Sequence, residues 1–489
     1  IYDCNMKPLV DNESKSIAAI MPCTEAMNNI AANVVGEQRN IALERMKKPT
    51  PFLMELDRSK LYSQGINMFS VTKRYSDNQL APHIIGYTNN STDDGVCGIE
   101  MSCNELLKGF GEDVKIHYTV DAFKQPIISI LPEITGDTVS PKGGVVTTLD
   151  KDFQQVVSDV AMEKMTSGAV VVMDIHTGEL RAVVSMPQFN PNDIATAMEQ
   201  ENSPLFNRAF GAYSVGSTFK LAVAATALKE GINTDFTFFC PGYIEVNGIK
   251  FACHKKEGHG LLTMKGAIEQ SCNPYFVALG QQLDPQNLLY TVSEMGFGKA
   301  SKLGENMVTE AGTLYTATEL QNKADLANFS FGQGKLTATP IQVAQMISCI
   351  ANGGNTVLPS LIKGTTSNGE TITEAEESFA QNKLLSNEQA KILQDYMINV
   401  VENGSGKKGK PENGGAGGKT ASAQTGQYID DREKVEAWFA GFFPANQPKY
   451  TVVVFVEGGE YGGDVAGPIF KAIADGINIV EEKRLSRGA

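Results

Sequence analysis

The apolar residues of this chain gather in short unbroken runs near residues 170 and 450, with a long helical pattern between them. Gly168-Ala-Val-Val-Val-Met-Asp174 and Leu180-Arg-Ala-Val-Val-Ser185 flank His176-Thr-Gly178-Glu, which predicts two buried strands joined by a tight turn. Ala437 to Phe443 and Tyr450 to Glu457 predict two more, followed by an amphipathic helix from Pro468 to Val480. From Phe219 to about Val401 the period is helical, broken at Gly332-Gln-Gly334 and Asn352-Gly353-Gly354. A short strand, Val145 to Leu149, leads into a helix from Lys151 to Met165, for which Asp150 is the expected N-cap. Strands at both ends with helices between them predict an α+β fold whose sheet is assembled from distant parts of the chain.

Two stretches lack such a period. Residues 1 to about 145 are uneven and polar, with turn chemistry at Asp11-Asn12 and from Asn89 to Gly95. A compositional change at Pro141-Lys142-Gly143-Gly144 divides the chain into residues 1–145 and 146–489. Asn403 to Gly418, rich in Gly, Lys and Asn, predicts a mobile loop.

Composition narrows the function classes. The 489 residues are 42% hydrophobic and 20% charged, an ordinary globular balance. A net charge of −14 leaves no basic excess to neutralise phosphates, so nucleic acid is excluded as a partner. The longest apolar runs fall far short of the roughly 20 residues that span a bilayer. The chain opens on Ile1 instead of Met, from which an N-terminal signal or anchor is expected to have been cut away. Eight cysteines lie well below disulfide-scaffold density.

Ser217-Thr-Phe-Lys220 enters a helical pattern from a glycine turn, and residues three apart on a helix share a face. The Lys220 amine therefore reaches the Ser217 hydroxyl, and a serine at a helix start has free backbone N–H groups nearby for an oxyanion. Alone, Ser-x-x-Lys is a chance pattern. Ser271-Cys272-Asn273 and Lys419-Thr420-Ala421, followed by Ser422, complete an ordered triplet. The triplet resembles the Ser-x-x-Lys, Ser-x-Asn and Lys-Thr-Gly elements of serine acyltransferases that react with penicillin.

Other segments resemble the same family. Among them are Asn207-Arg-Ala209 through Tyr213-Ser-Val-Gly-Ser217, Phe331-Gly-Gln-Gly334 and Ala338-Thr-Pro-Ile-Gln342. In the front third, Arg74-Tyr75, Pro82-His-Ile-Ile-Gly86 and Gly98-Ile-Glu100 resemble the pedestal of class B penicillin-binding proteins. The chain is identified by resemblance as a class B penicillin-binding protein, a peptidoglycan D,D-transpeptidase. The resemblance implies a central antiparallel sheet with helices on both sides, an all-helical lobe and an elongated N-terminal pedestal. It also implies an extracytoplasmic position at the bacterial membrane through an N-terminal helix absent here, and a membrane glycan polymerase as partner.

The roles it implies follow from the chemistry. Lys220, with a lowered pKa, is the base that activates Ser217. Ser271 shuttles a proton, Asn273 holds the donor peptide and Lys220, Lys419 supplies positive potential, and Thr420 binds the terminal carboxylate of D-Ala-D-Ala. The oxyanion hole is formed by the backbone N–H groups of Ser217 and Ser422. Acylation by stem peptides ending in D-Ala-D-Ala is then followed by aminolysis, and β-lactams stop at the acyl stage. A carboxypeptidase finishing with water, and a catalytically weak structural partner of a glycan polymerase, are the alternatives. Val215 replaces the family's proline, and Ala421 replaces the glycine of Lys-Thr-Gly, where a methyl group is expected to narrow the cleft.

Cys240, Cys253, His259 and Cys272, spaced 13, 6 and 13 residues apart, do not follow a zinc-finger pattern. Three thiols and an imidazole nonetheless suit one structural Zn²⁺, and the same insertion in elongation-type relatives implies these four ligands. His254 is a reserve ligand, strained by its adjacency to Cys253. A Cys240–Cys253 disulfide and buried free thiols are the other readings.

Overall fold

Valines in unbroken runs form the middle of a five-stranded antiparallel sheet. The computed structural model describes all residues except 57–60, 62, 90, 111–114, 123–126, 128–129, 131, 136–142, 376–380, 430–431 and 489. In it the strand order is Gly417–Ile429, Arg432–Phe443, Tyr450–Val456, Gly168–Asp174, Leu180–Met186. The register pairs Val454 with Val170 and Val170 with Val184. Successive side chains leave opposite faces. Ala169, Val171, Met173, Val453 and Phe455 pack into one core with the helices Lys220–Lys229 and Pro340–Ala351. Val170, Val172, Val452 and Val454 pack into another with the helices Lys151–Lys164 and Gly462–Gly488. Both faces are covered, which is why the strands carry no polar alternation. Burying each such side chain contributes about 1.5–3 kcal/mol.

Several expectations hold and others are corrected. Asp150 caps its helix, accepting from the backbone N–H groups of Asp152 and Phe153. The last helix is longer than the predicted Pro468 to Val480. The helical region between Phe219 and Val401 is interrupted by short strands, among them the consecutive Phe238–Cys240, Tyr243–Val246, Ile249–Ala252 and Gly260–Leu262. Asn247-Gly248 turns the middle pair, both residues at positive φ, the geometry that Asn-Gly favours in a two-residue hairpin. Asn403 to Gly418 is not a simple mobile loop. It contains a 3₁₀ turn, Lys407–Gly409, and Ala416 is buried. Gly409 lies so close to Phe439 that a Cβ there would stand 2.4 Å from its ring.

The front of the chain contains more regular structure than its polarity predicts. Glu13–Ile20 pairs with both Phe52–Glu55 and Ile66–Lys73, under the helices Thr24–Asn33 and Gly36–Arg45. Ala18, Ile20, Ala26, Ile30 and Ala42 give this part its own small core. Ile1, Leu9 and Val10 instead join the main core, and Tyr2 forms a parallel bridge to Val146. The predicted change at Pro141-Lys142 lies outside the described residues. Among the described residues, no helix is long and apolar enough to cross a membrane.

Candidate active site

Ser217 stands in the 3₁₀ turn Gly216–Thr218, at the mouth of the helix Lys220–Lys229. Gly216 has φ +52°, and a Cβ there would meet the methyls of Ala423 at 3.0 Å and Ala421 at 3.4 Å. Only glycine fits this turn without strain. One turn on, Lys220 is fully buried. Its Nζ lies 2.9 Å from Ser217 Oγ, 2.8 Å from Ser271 O, 3.2 Å from Ser271 Oγ and 2.6 Å from Asn273 Oδ1. Burial lowers the Lys220 pKa to about 7, opposed by the nearby Cys272 and Cys253 thiols.

Ser271 and Asn273 arrive from the start of the helix Asn273–Gly280, with Ser271 itself at φ +53°. A left-handed serine is strained backbone, held here by its surroundings. Lys419, on the strand Gly417–Ile429, is also fully buried, with Nζ 2.9 Å from Ser271 Oγ and 2.8 Å from Thr420 O. Burial, then repulsion from Lys220, lowers its pKa well below the usual lysine value. Two amines thus flank one hydroxyl. The structure brings Ser217, Lys220, Ser271, Asn273 and Lys419 into one hydrogen-bonded constellation.

Thr420 Oγ1 lies 2.8 Å from Ser405 Oγ, and Ser422 Oγ accepts from Gly462 N at 3.0 Å. Ser405 escapes sequence reasoning because it lies in the stretch taken for a mobile loop. Ala421 corrects an expectation. It is 3% exposed, and its methyl packs against Gly216 instead of narrowing the cleft.

The four proposed metal ligands converge. One ligand atom from each of Cys240, Cys253, His259 and Cys272 lies within 4.8 Å of the others. A tetrahedral zinc with Zn–S bonds of about 2.3 Å needs sulfurs about 3.8 Å apart, so the set fits with small adjustment. Pairing of Cys240 with Gly260 brings Cys240 beside His259, and Gly258 passes so close to Cys240 O that a Cβ there would stand 2.1 Å from it. Cys253 Sγ lies 3.4 Å from His259 Nδ1 and 3.9 Å from His254 Nδ1, and His254 is outside the converging set. The Cys253 pKa is pushed down, chiefly by its Cys272 neighbour, whose own pKa is raised. All three sulfurs are buried and no disulfide joins Cys240 to Cys253.

Residues 168–475 match the family model described as penicillin binding protein transpeptidase domain. Stage V sporulation protein D of Bacillus subtilis is 28% identical over 484 residues, covering 93% of this chain and 71% of that protein. The peptidoglycan D,D-transpeptidase FtsI of Escherichia coli is 28% identical over 437 residues, covering 86% of this chain and 69% of that protein. Among solved structures, the complex between penicillin-binding protein PBP2 and MreC from Helicobacter pylori shares the fold. It has a TM-score of 0.69 and 24% identity, over 98% of this chain and 97% of that one.

Proposed function

The chain belongs to the penicillin-binding protein transpeptidase family, and from that premise we propose how its residues perform serine D,D-transpeptidation of peptidoglycan. The observation that carries the proposal is the buried Lys220 amine, 2.9 Å from Ser217 Oγ. Ser271 O and Asn273 Oδ1 only accept hydrogen bonds, so they take two N–H donors from Lys220. A neutral amine then has its lone pair left for the Ser217 proton.

Ser217 Oγ attacks the carbonyl carbon of the penultimate D-Ala as Lys220 accepts its proton. The oxyanion is held by the backbone N–H groups of Ser217 and Ser422. Ser271, between the two lysines, relays a proton to the nitrogen of the departing D-Ala. Thr420, seated by Ser405, binds the substrate's terminal carboxylate beside Lys419. The amine of a neighbouring stem peptide then attacks the acyl-enzyme, and the new amide releases Ser217. A β-lactam follows the same first step, but its leaving nitrogen stays tethered in the acyl adduct.

Labelling with a fluorescent penicillin tests this course, with Ser217→Ala as control. No label on the unaltered chain overturns it. A lipid-linked precursor with an amine acceptor then separates cross-linking from hydrolysis by water.

Cys240, Cys253, His259 and Cys272 hold one structural Zn²⁺ in this reading, supported by the converging buried donors. When bound, the ion supplies positive charge that keeps the thiols deprotonated. Cys272 thereby anchors Ser271 and Asn273 on either side of it. The reading further includes residues 1–145 as a pedestal, an N-terminal anchor placing the chain at the extracytoplasmic face, and a membrane glycan polymerase as partner. Their support is the family resemblance.

A further inference from the structure

The chain's one tryptophan, Trp438, holds the backbone three residues before the nucleophile. Its indole N–H donates to Ser214 O at 2.9 Å. The ring is fully buried, on the strand Arg432–Phe443. It lies against Phe455 of the next strand, with ring centroids 4.6 Å apart, and Tyr213 lies against the same Phe455 at 4.1 Å. A buried indole needs an acceptor for its N–H, and here the acceptor belongs to the short strand that leads into the nucleophile's turn.

Other bonds shape that segment without tying it to the five-stranded sheet. The Thr218 N–H and hydroxyl both donate to Val215 O, at 3.4 and 2.8 Å, and the Phe219 N–H donates to Gly216 O at 3.1 Å. These bonds lie within the turn and move with it. Tyr213–Ser214 pairs with Thr337–Ala338, and Gly332 passes so close that a Cβ there would stand 1.9 Å from Gly216 O. Both of those contacts come from the segment between residues 332 and 338. Toward the sheet, Gly216 faces the methyls of Ala421 and Ala423, which limit approach but set no direction. The indole adds a directional bond from the sheet itself. Trp438 also pairs in register with Ala421, which lies between Thr420 and Ser422. One residue thus joins the turn that carries Ser217 to the strand that carries Lys419 and the Ser422 N–H.

We propose that Trp438 is a positioning residue for acylation: its indole N–H, bonded to Ser214 O, sets where Ser217 stands relative to Lys419 and the Ser422 N–H. The inference rests on Ser217 being the acylated nucleophile. Misplacing a reacting atom by about 1 Å costs on the order of 100-fold in rate. Loss of the bond should therefore show in the chemical step and not in binding.

Because the chain holds one tryptophan, feeding an analogue to a tryptophan-requiring host alters position 438 alone. Benzothienylalanine puts sulfur in place of the N–H and keeps the two fused rings, whereas a ring-fluorinated tryptophan keeps the N–H. Both proteins and Trp438→Phe are acylated with a penicillin well below their unfolding midpoints, resolving the non-covalent dissociation constant from the acylation rate constant. The benzothienyl protein and Trp438→Phe should acylate about tenfold more slowly, with the dissociation constant nearly unchanged. The fluorinated protein should acylate at close to the unaltered rate. In the unaltered chain the indole N–H gives one proton resonance, expected downfield of a free indole. A benzothienyl protein that acylates at the unaltered rate overturns the proposal, since the rings alone then suffice. So does a fluorinated protein as slow as the benzothienyl one, or an indole resonance at the unbonded position. An unaltered chain that takes no penicillin overturns the reading of Ser217 and this inference with it, whereas the resonance reports the hydrogen bond by itself. Should Trp438→Phe unfold the chain, the two analogues still decide.

Discussion

Lys220 Nζ stands 2.9 Å from Ser217 Oγ, in surroundings that strip the amine of its water. Burial, the largest cause, brings its pKa to about 7. Only the neutral amine can accept a proton, so acylation is expected to fall about tenfold per pH unit below 7 and to level above it. A stopped-flow pH profile with a penicillin checks this, and a flat profile from pH 5 to 8 would remove Lys220 as the base. Stability carries the opposite label of the same shift. Between pH 7 and the ordinary lysine value the unfolded chain binds the extra proton, so this group's contribution to stability rises with pH across that window.

Ser405 Oγ lies 2.8 Å from Thr420 Oγ1 and fixes that hydroxyl's direction. Ser405→Ala removes one hydrogen bond, worth about 0.5–1.5 kcal/mol, from the group proposed to hold the substrate carboxylate. Weaker initial binding of penicillin, by about twofold to tenfold, is the expected result, with the acylation rate constant little altered. Equal binding by the variant would disconnect Ser405 from the carboxylate site.

The same pair marks where the sequence is legible and where it is not. Ser217 and Lys220 are one helical turn apart, so their contact follows from local spacing. The central sheet is legible for a similar reason, since burial on both faces leaves unbroken apolar runs. Ser405 and Thr420 meet because glycines let residues 403–418 pack onto Phe439, and composition reads such glycines only as freedom. The Asn247-Gly248 hairpin carried its own signal, overridden by the helical period around it. Trp438 reaches Ser214 through a pairing of distant strands that no local pattern announces.

Ala421 gives a stability prediction in place of a selectivity one. Its methyl is buried against Gly216, so Ala421→Gly removes packing and loosens a strand. The cost should be about 0.5–1 kcal/mol, seen as a small fall in the unfolding midpoint, with acylation nearly unchanged. Gly216→Ala should do the reverse. A Cβ at φ +52° would press on Ala423 at 3.0 Å and displace the nucleophile turn, slowing acylation far more than it lowers stability. A large change in β-lactam preference in Ala421→Gly would return the methyl to the cleft.

Zinc at Cys240, Cys253, His259 and Cys272 makes a prediction that separates metal from disulfide. The four donors converge within 4.8 Å, and Cys272 lies between Ser271 and Asn273 in the chain. Elemental analysis of the purified chain should find one zinc per molecule, lost in Cys240→Ser and strongly reduced in His259→Ala. Removing the ion leaves buried thiols competing for protons, as the opposite pKa shifts of Cys253 and Cys272 indicate. The helix start that carries Asn273 is then less firmly held. Chelation should therefore lower both the unfolding midpoint and the penicillin acylation rate, and restored zinc should recover both. Magnesium should recover neither, because thiolates suit a softer ion. A zinc-free chain whose mass shows a Cys240–Cys253 bridge would refute the metal and assign the cluster to oxidation.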